Sequence, residues 1–228
     1  MSTALSPVRA RTLRALVLAR ELDAARTAAG MTTRTLATLM SMSPAMVNRV
    51  MTGRRPPTAL EIGALCAFLD VPALRRRSLY ALASEVDKQN WLHDNTSDTP
   101  SPLPTLLDLA DSVTTYSATH VPEPRRPHDF DHTGADPATT HLIHERALSD
   151  PRSARHLTSL TGDVHIVPAG HNSPPHSFHL LHIPHFHPVV HAEHNTMTII
   201  LETPSATAPY LAQVATLLTH ARPPNDVP

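Results

Sequence analysis

The sequence predicts an α+β protein in two parts. An all-α, five-helix domain over residues 8–92 is followed by a linker at 93–104 and a smaller α+β domain with an antiparallel sheet over 105–222. Three observations lead there. Apolar residues in the first ninety positions recur at helical spacing between Gly and Pro stops. Residues 93–104, HDNTSDTPSPLP, are polar and broken by proline. Beyond them come short runs rich in Val, Ile, Thr and His. Hydrophobic residues make up 41% of the chain and aromatics only 4%, so the core is built from Leu, Val, Ile, Ala and Met. Twenty-three prolines against 6 glycines favour stiff connections and early helix stops.

Residues 8–30 read as the first helix, with Leu18, Leu22 and Ala25 at helical spacing and Gly30 just past its end. Thr32 caps a second helix whose Leu36, Leu39 and Met40 share a face. A tight SMS turn follows. Ser43 caps a third helix with Pro44 at its first position, where a missing N–H costs nothing. Val47, Val50 and Met51 form its buried side, and Gly53 ends it. The fourth helix runs from about Thr58 to Leu69, with Leu60, Ala64, Leu65 and Phe68 inward. Pro72 opens a fifth that continues to Leu92, carrying Leu74, Leu79, Leu82 and Val86 on its apolar face.

In the back half, VTTYSATHV, VHIVP and MTIILE are strand candidates, and HLIHERAL is a strand end or a helix start. FHLLHIP and VVHAEH flank HFHP like a hairpin. A final helix, PSATAPYLAQVATLLTHA, turns Tyr210, Leu211, Val214, Leu217 and Leu218 to the core. Residues 123–140 have no pattern and read as a loop.

A net charge of -1 conceals an asymmetry. Residues 1–93 hold 13 Lys+Arg against 6 Asp+Glu, a net of +7, whereas 94–228 hold 6 against 14, a net of −8. The basic front suits a polyanion such as nucleic acid; an internally complementary dipole is the alternative. The single cysteine, Cys66, rules out an intrachain disulfide and a Cys-based zinc framework. No long apolar stretch and no signal-peptide pattern are present, so no membrane association and a cytoplasmic location are expected. There is no phosphate-binding glycine loop and no nucleophile elbow, and HLIHE lacks the HExxH order. Neither enzymatic activity nor a cofactor is expected.

The string GMTTRTLATLMSMSPAMVNRVMTGRRPP has the form helix, three-residue turn, helix, anchored by Leu36, Ala37, Met40, Val47 and Val50. Ala37 keeps the two helices close. This is the helix-turn-helix arrangement, which presents its second helix to the major groove of double-stranded DNA. Residues 15–92 resemble the Xre/Cro-type, lambda repressor-like domains at Gly30, Thr32, Leu36, Ala37, Ser43, Val47, Arg49, Thr52, Gly53, Arg54, Arg55 and Pro57. The back half resembles the C-terminal domain, of uncharacterised function, of a group of actinobacterial regulators. The shared positions are Tyr116, Val121, Pro122, the Ile143-His144-Glu145 run, MTIILETP and Tyr210.

The resemblance implies a transcriptional regulator, acting as a homodimer on a pseudo-palindrome. Its C-terminal domain would dimerise, sense a ligand or bind a small acidic companion protein. Arg34, Arg54 and Arg55 are expected on phosphates, and Thr32 and Ser43 aim helix N-termini at the backbone. Ala45, Met46 and Asn48 face base edges, Asn48 suits adenine, and Arg49 either reads guanine or serves the fold. Three departures stand out. Thr33 and Pro44 replace polar residues that fasten each helix to phosphate. Ser41 replaces the turn glycine, a strained choice if that position has φ > 0. The stretch between the two C-terminal segments is also short. A helix so poor in base-reading groups keeps open an alternative: a protein-interaction module, antitoxin-like or regulator-binding, that has lost DNA affinity.

HSFHLLHIPHFHPVVHAEH, residues 176–194, places seven histidines in nineteen positions. His185 and His187 share a face in the hairpin reading. The candidates for a metal site are His179, His182, His191 and His194, paired across strands as His182 with His191 or His179 with His194. Solvent-exposed polar substitution and pH sensing are the other readings, the latter because imidazoles titrate near 6.5.

Overall fold

The computed structural model describes residues 10–122, 137–149, 153–171 and 173–224. The chain divides into two compact units, Met1–Leu106 and Leu107–Pro228, so the second is the longer stretch and not the smaller.

The first unit holds α1 (Leu13–Ala28), α2 (Thr33–Leu39), α3 (Pro44–Met51), α4 (Ala59–Phe68), α5 (Ala73–Ser84) and a short strand, β1 (Trp91–Asp94). Helix α6 (Leu103–Leu109) spans the division between the units. Side-chain caps start four of these helices. Thr12, Thr32, Ser43 and Thr58 each accept a bond from the backbone N–H three residues on, satisfying a donor that the helix leaves orphaned.

The first helix is shorter than the sequence suggests, and its core side is Leu13, Leu16, Val17, Leu18 and Leu22. In α2, Leu36 and Ala37 are buried, whereas Leu39 is exposed. Helix α4 is rotated from the expected phase. Ile62, Leu65 and Cys66 face inward, and Leu60 and Phe68 face solvent. The rotation follows from Glu61, which bonds the Thr58 N–H at 2.7 Å and forms an ion pair with Arg55, fixing the azimuth of the first turn.

The fifth helix does not reach Leu92 as expected; it stops at Ser84. Tertiary bonds take the next two carbonyls. Arg14 Nη1 donates to the Glu85 carbonyl at 3.1 Å, and the Thr12 hydroxyl donates to that of Val86. Trp91 lies in a strand, with the Arg14 guanidinium 4.9 Å from its ring centroid. The expected linker is ordered at both ends by local bonds. Asp94 Oδ1 accepts from the Thr96 N–H at 2.8 Å and from its hydroxyl, and Ser101 accepts from Leu103 N at the start of α6.

The second unit contains β2 (Ser112–Ser117), β3 (Ala138–His144), β4 (Asp163–Val167), β5 (Phe178–His182), β6 (Val189–Glu193), β7 (Met197–Leu201), α7 (Ser153–Ser159) and α8 (Pro204–His220). Its strands run in the order β7-β6-β5-β2-β3-β4. The sheet is mixed, not antiparallel: β2, β3 and β4 are parallel, and β2, β5, β6 and β7 alternate in direction. Parallel neighbours require long crossovers, and the β2–β3 crossover includes 123–136, outside the described residues. Ala138–Thr140, expected in a loop, open β3. A 3-10 turn at Glu145–Ser149 ends the strand, at the junction expected for HLIHERAL.

One face of this sheet carries Tyr116, Leu142, Val167, Phe178, Leu180, Val190 and Ala192, packed with Val214 and Leu217 of α8. Leu218, expected on that core side, is exposed. Helix α7 and a smaller apolar cluster around Ile143 and Ile166 were not anticipated.

Candidate nucleic-acid interface

The α2–turn–α3 segment is built from its buried side outward. Leu36, Ala37, Val47 and Val50 are nearly inaccessible and hold the two helices together. Burying a side chain the size of Val or Leu contributes about 1.5–3 kcal/mol. The turn passes through Ser41 at φ 52, left-handed backbone that disfavours any residue with a Cβ. Gly53 at φ 67 ends α3, and a Cβ there would lie 2.9 Å from Ala10 Cβ and 3.0 Å from the Ala15 carbonyl. Glycine is therefore required at 53 for conformation and for space.

With the inward side fixed, the outward side of α3 is set. Ala45, Met46, Asn48 and Arg49 are exposed, as is Pro44 at its start. Ser43 Oγ accepts from Met46 N at 3.2 Å. On α2, Thr32 accepts from Thr35 N at 3.0 Å and meets the Thr35 hydroxyl at 2.8 Å. Arg34 is exposed and Thr33 half-buried. Just past α3, the N–H groups of Arg54 and Arg55 donate to the Arg49 carbonyl at 2.8 and 3.1 Å, curling the chain back against the helix end.

Arg54 is exposed. Arg55, expected on a phosphate, engages the Glu61 carboxylate with both its terminal nitrogens, Nη1 at 2.9 Å from Oε2. A bidentate pair of this kind holds the guanidinium plane in place. Glu61 was not identified from the sequence as a partner. The signal was present as T-x-x-E at Thr58–Glu61, the capping-box spacing. The arrangement offers one short helix with an exposed apolar and amide face that carries Arg49, with exposed Arg34 on α2 and Arg54 just past α3, within a basic unit.

Residues 17–79 match the family model described as a helix-turn-helix domain. The match takes in all of α2, α3 and α4 and most of α1 and α5. No curated protein matches the chain. Among solved structures, the restriction-modification controller protein C.AhdI from Aeromonas hydrophila is 29% identical, covering 28% of this chain and 94% of its own, at a TM-score of 0.26. The clp gene regulator ClgR from C. glutamicum is 21% identical, covering 33% and 95%, at a TM-score of 0.27. An HTH_3 family transcriptional regulator from Vibrio cholerae is 13% identical, covering 84% and 98%, at a TM-score of 0.28. No helix among the described residues is long and apolar enough to cross a membrane.

The histidines of the second unit pair differently from either expected register. His179 lies opposite His191, their rings 5.6 Å apart, and His182 lies opposite Ser112. His194 instead meets His176 at 5.6 Å. His185 sits in the turn at φ 67, so it and His187 do not share a strand face. Among the described residues no three His, Cys, Asp or Glu side chains group as a metal site requires.

Proposed function

We propose that the chain is a sequence-specific DNA-binding transcriptional regulator of the Xre/Cro type, acting as a homodimer on a pseudo-palindromic operator. The observation that carries this reading is the exposure of Ala45, Met46, Asn48 and Arg49 on α3 inside a helix-turn-helix domain whose opposite side is buried. Asn48 offers an amide that can bond adenine bidentately, and Ala45 and Met46 can touch a thymine methyl. Arg34, Arg54 and the N-termini of α2 and α3 position the duplex. Arg55 acts through Glu61, fixing the turn after α3. The second unit serves dimerisation, ligand sensing or a companion protein.

Footprinting on DNA from the chain's own promoter region, at low salt where the electrostatic contribution is largest, tests the proposal. Protection of a two-fold-related site is expected; complete absence of protection overturns it. The exposure of two large apolar side chains, Met46 within the recognition face and Leu39 on α2, favours a second reading, in which this surface binds protein. Absence of protection would leave that reading standing.

A further inference from the structure

The His-rich hairpin pairs its histidines in a way the sequence does not display. In the register of β5 with β6, His179 lies opposite His191. Carried three residues further, past the ends of both strands, the same register sets His176 opposite His194. Their rings do meet there, with centroids 5.6 Å apart and planes inclined at 45°. Positions three apart along an extended ladder point to opposite faces, so the hairpin carries one imidazole pair on each face.

Of the three imidazole pairs among the described residues, one suits an incoming ion. The rings of His171 and His220 are stacked at 28° with centroids 4.5 Å apart, so they turn faces, not nitrogens, to each other. His191 is fully enclosed, so solvent cannot complete a coordination sphere at its pair with His179. His176 is half-buried and His194 exposed, so their pair is both reachable and held. A run of rings holds it. Tyr210 of α8 meets His176 edge-on at 6.2 Å and Phe178 at 5.0 Å, and Phe178 packs on Tyr116 at 5.5 Å within the buried cluster. The half-buried member of the pair is thus tied to the core of the second unit, and the exposed member closes onto it.

We infer that His176 and His194 form a two-histidine chelate for a divalent transition-metal ion of the zinc, nickel or copper class. Imidazole suits these ions. An ion 2.0–2.1 Å from one nitrogen of each ring lies about 3.2 Å from each centroid, so centroids 5.6 Å apart subtend about 120° at it. Closing the rings by about 0.4 Å brings that angle to the tetrahedral value. The terminal torsion of histidine is broad, so each ring can turn a nitrogen toward the ion. No third His, Cys, Asp or Glu joins the pair among the described residues, so the site is an open one, its other positions left to water or a small donor ligand. The 14 acidic residues over 94–228, against 6 Lys+Arg, favour a cation in this half of the chain.

Isothermal titration calorimetry of the metal-free full chain with zinc ion alone, at about pH 7.5 where imidazoles are neutral, tests the inference. It needs no DNA and is independent of the regulator reading. One saturable equivalent is expected. Each ring holds the ion at the other, so removing either forfeits the whole chelate advantage. His176→Gln and His194→Gln are each expected to weaken zinc binding at least about tenfold, and the double variant no more than about twofold further. His187→Gln, exposed between β5 and β6 and outside both pairs, leaves binding unchanged. His194 faces solvent, so circular dichroism of its variant is expected to match the wild type. The folded chain alone sets the two rings together, so zinc should also raise the urea midpoint of the wild type more than that of His194→Gln.

Absence of a saturable equivalent, loss in only one of the two paired variants, or losses that simply multiply in the double variant overturns the inference. Equal weakening by His187→Gln overturns it too, because it would mark an adventitious ion only.

Discussion

At the scale of single residues, the helix-turn-helix carries one visible conflict between sequence and backbone. Ser41 occupies φ 52 in the turn between α2 and α3, where glycine has no Cβ to clash. Left-handed backbone costs an L-residue about 1–2 kcal/mol, and glycine's greater unfolded-state entropy returns about 0.5–1 kcal/mol of any gain. Ser41→Gly is therefore expected to stabilise the protein by up to about 1 kcal/mol, read as a higher urea midpoint; a lower midpoint would contradict the strain argument. On the proposed function, the exposed residues separate in the same way. Asn48→Ala is then expected to change which operator positions tolerate substitution, because an amide can read a base edge. Arg54→Ala should weaken all DNA about equally and flatten the salt dependence by about one unit of slope. Unchanged preference after Asn48→Ala would remove Asn48 as a reader.

At the scale of elements, legibility followed locality. The second and third helices, their Thr32 and Ser43 caps and the Pro44 start were readable because each depends on neighbours within four residues. The hairpin of β5 and β6 was readable for the same reason. What could not be read was fixed from a distance. Past the end of α5, the chain is held by Arg14 and Thr12, more than seventy residues upstream, which bond the carbonyls of Glu85 and Val86. The parallel pairing of β2 with β3 is joined across a stretch without pattern. The register that opposes His179 to His191 depends on which side of the hairpin is buried, and histidine marks neither side. The phase of α4 lay between these cases. Its apolar residues surround the helix, so periodicity could not choose a buried side, but the Thr58–Glu61 box and its Arg55 partner do. Thr58→Ala is accordingly expected to cost about 0.5–2 kcal/mol. It should also loosen the Arg54–Arg55 corner, so amide exchange at residues 53–56 should rise more than in α1; equal effects in both places would show the box to be merely local.

At the scale of the whole molecule, the two units differ in what acid does to them. In the second unit, burial pushes His141 below the ordinary imidazole range, against a weaker opposing effect of the Thr161 carbonyl. Its ring is satisfied as a neutral group: Nε2 meets that carbonyl at 3.2 Å, so it carries the proton, and Nδ1 accepts from Thr115 at 2.9 Å. Burial likewise lowers His144, assisted by Arg146 and His171 and opposed by Glu145, and lowers His176, assisted by His194. A depressed imidazole pKa means the unfolded chain binds the proton more readily. Stability from these groups is therefore complete above about pH 6.5 and is lost as pH falls below it. In the first unit the shifted carboxylates respond lower on the scale. Lys88 and Arg14 hold Glu85 below its usual value, and Thr96 holds Asp94 below its own. Carboxylates lowered in this way lose their contribution only as pH falls through and below about 4. Between about pH 7 and 5 the second unit should thus loosen while the helix-turn-helix unit does not. Hydrogen exchange followed by mass spectrometry, corrected for the intrinsic effect of pH, is expected to show the strands β2, β3 and β5 losing protection by about pH 5.5 with α1 to α4 unchanged. Equal loss in both units, or loss confined to the first, would mean that these buried imidazoles do not govern the acid response.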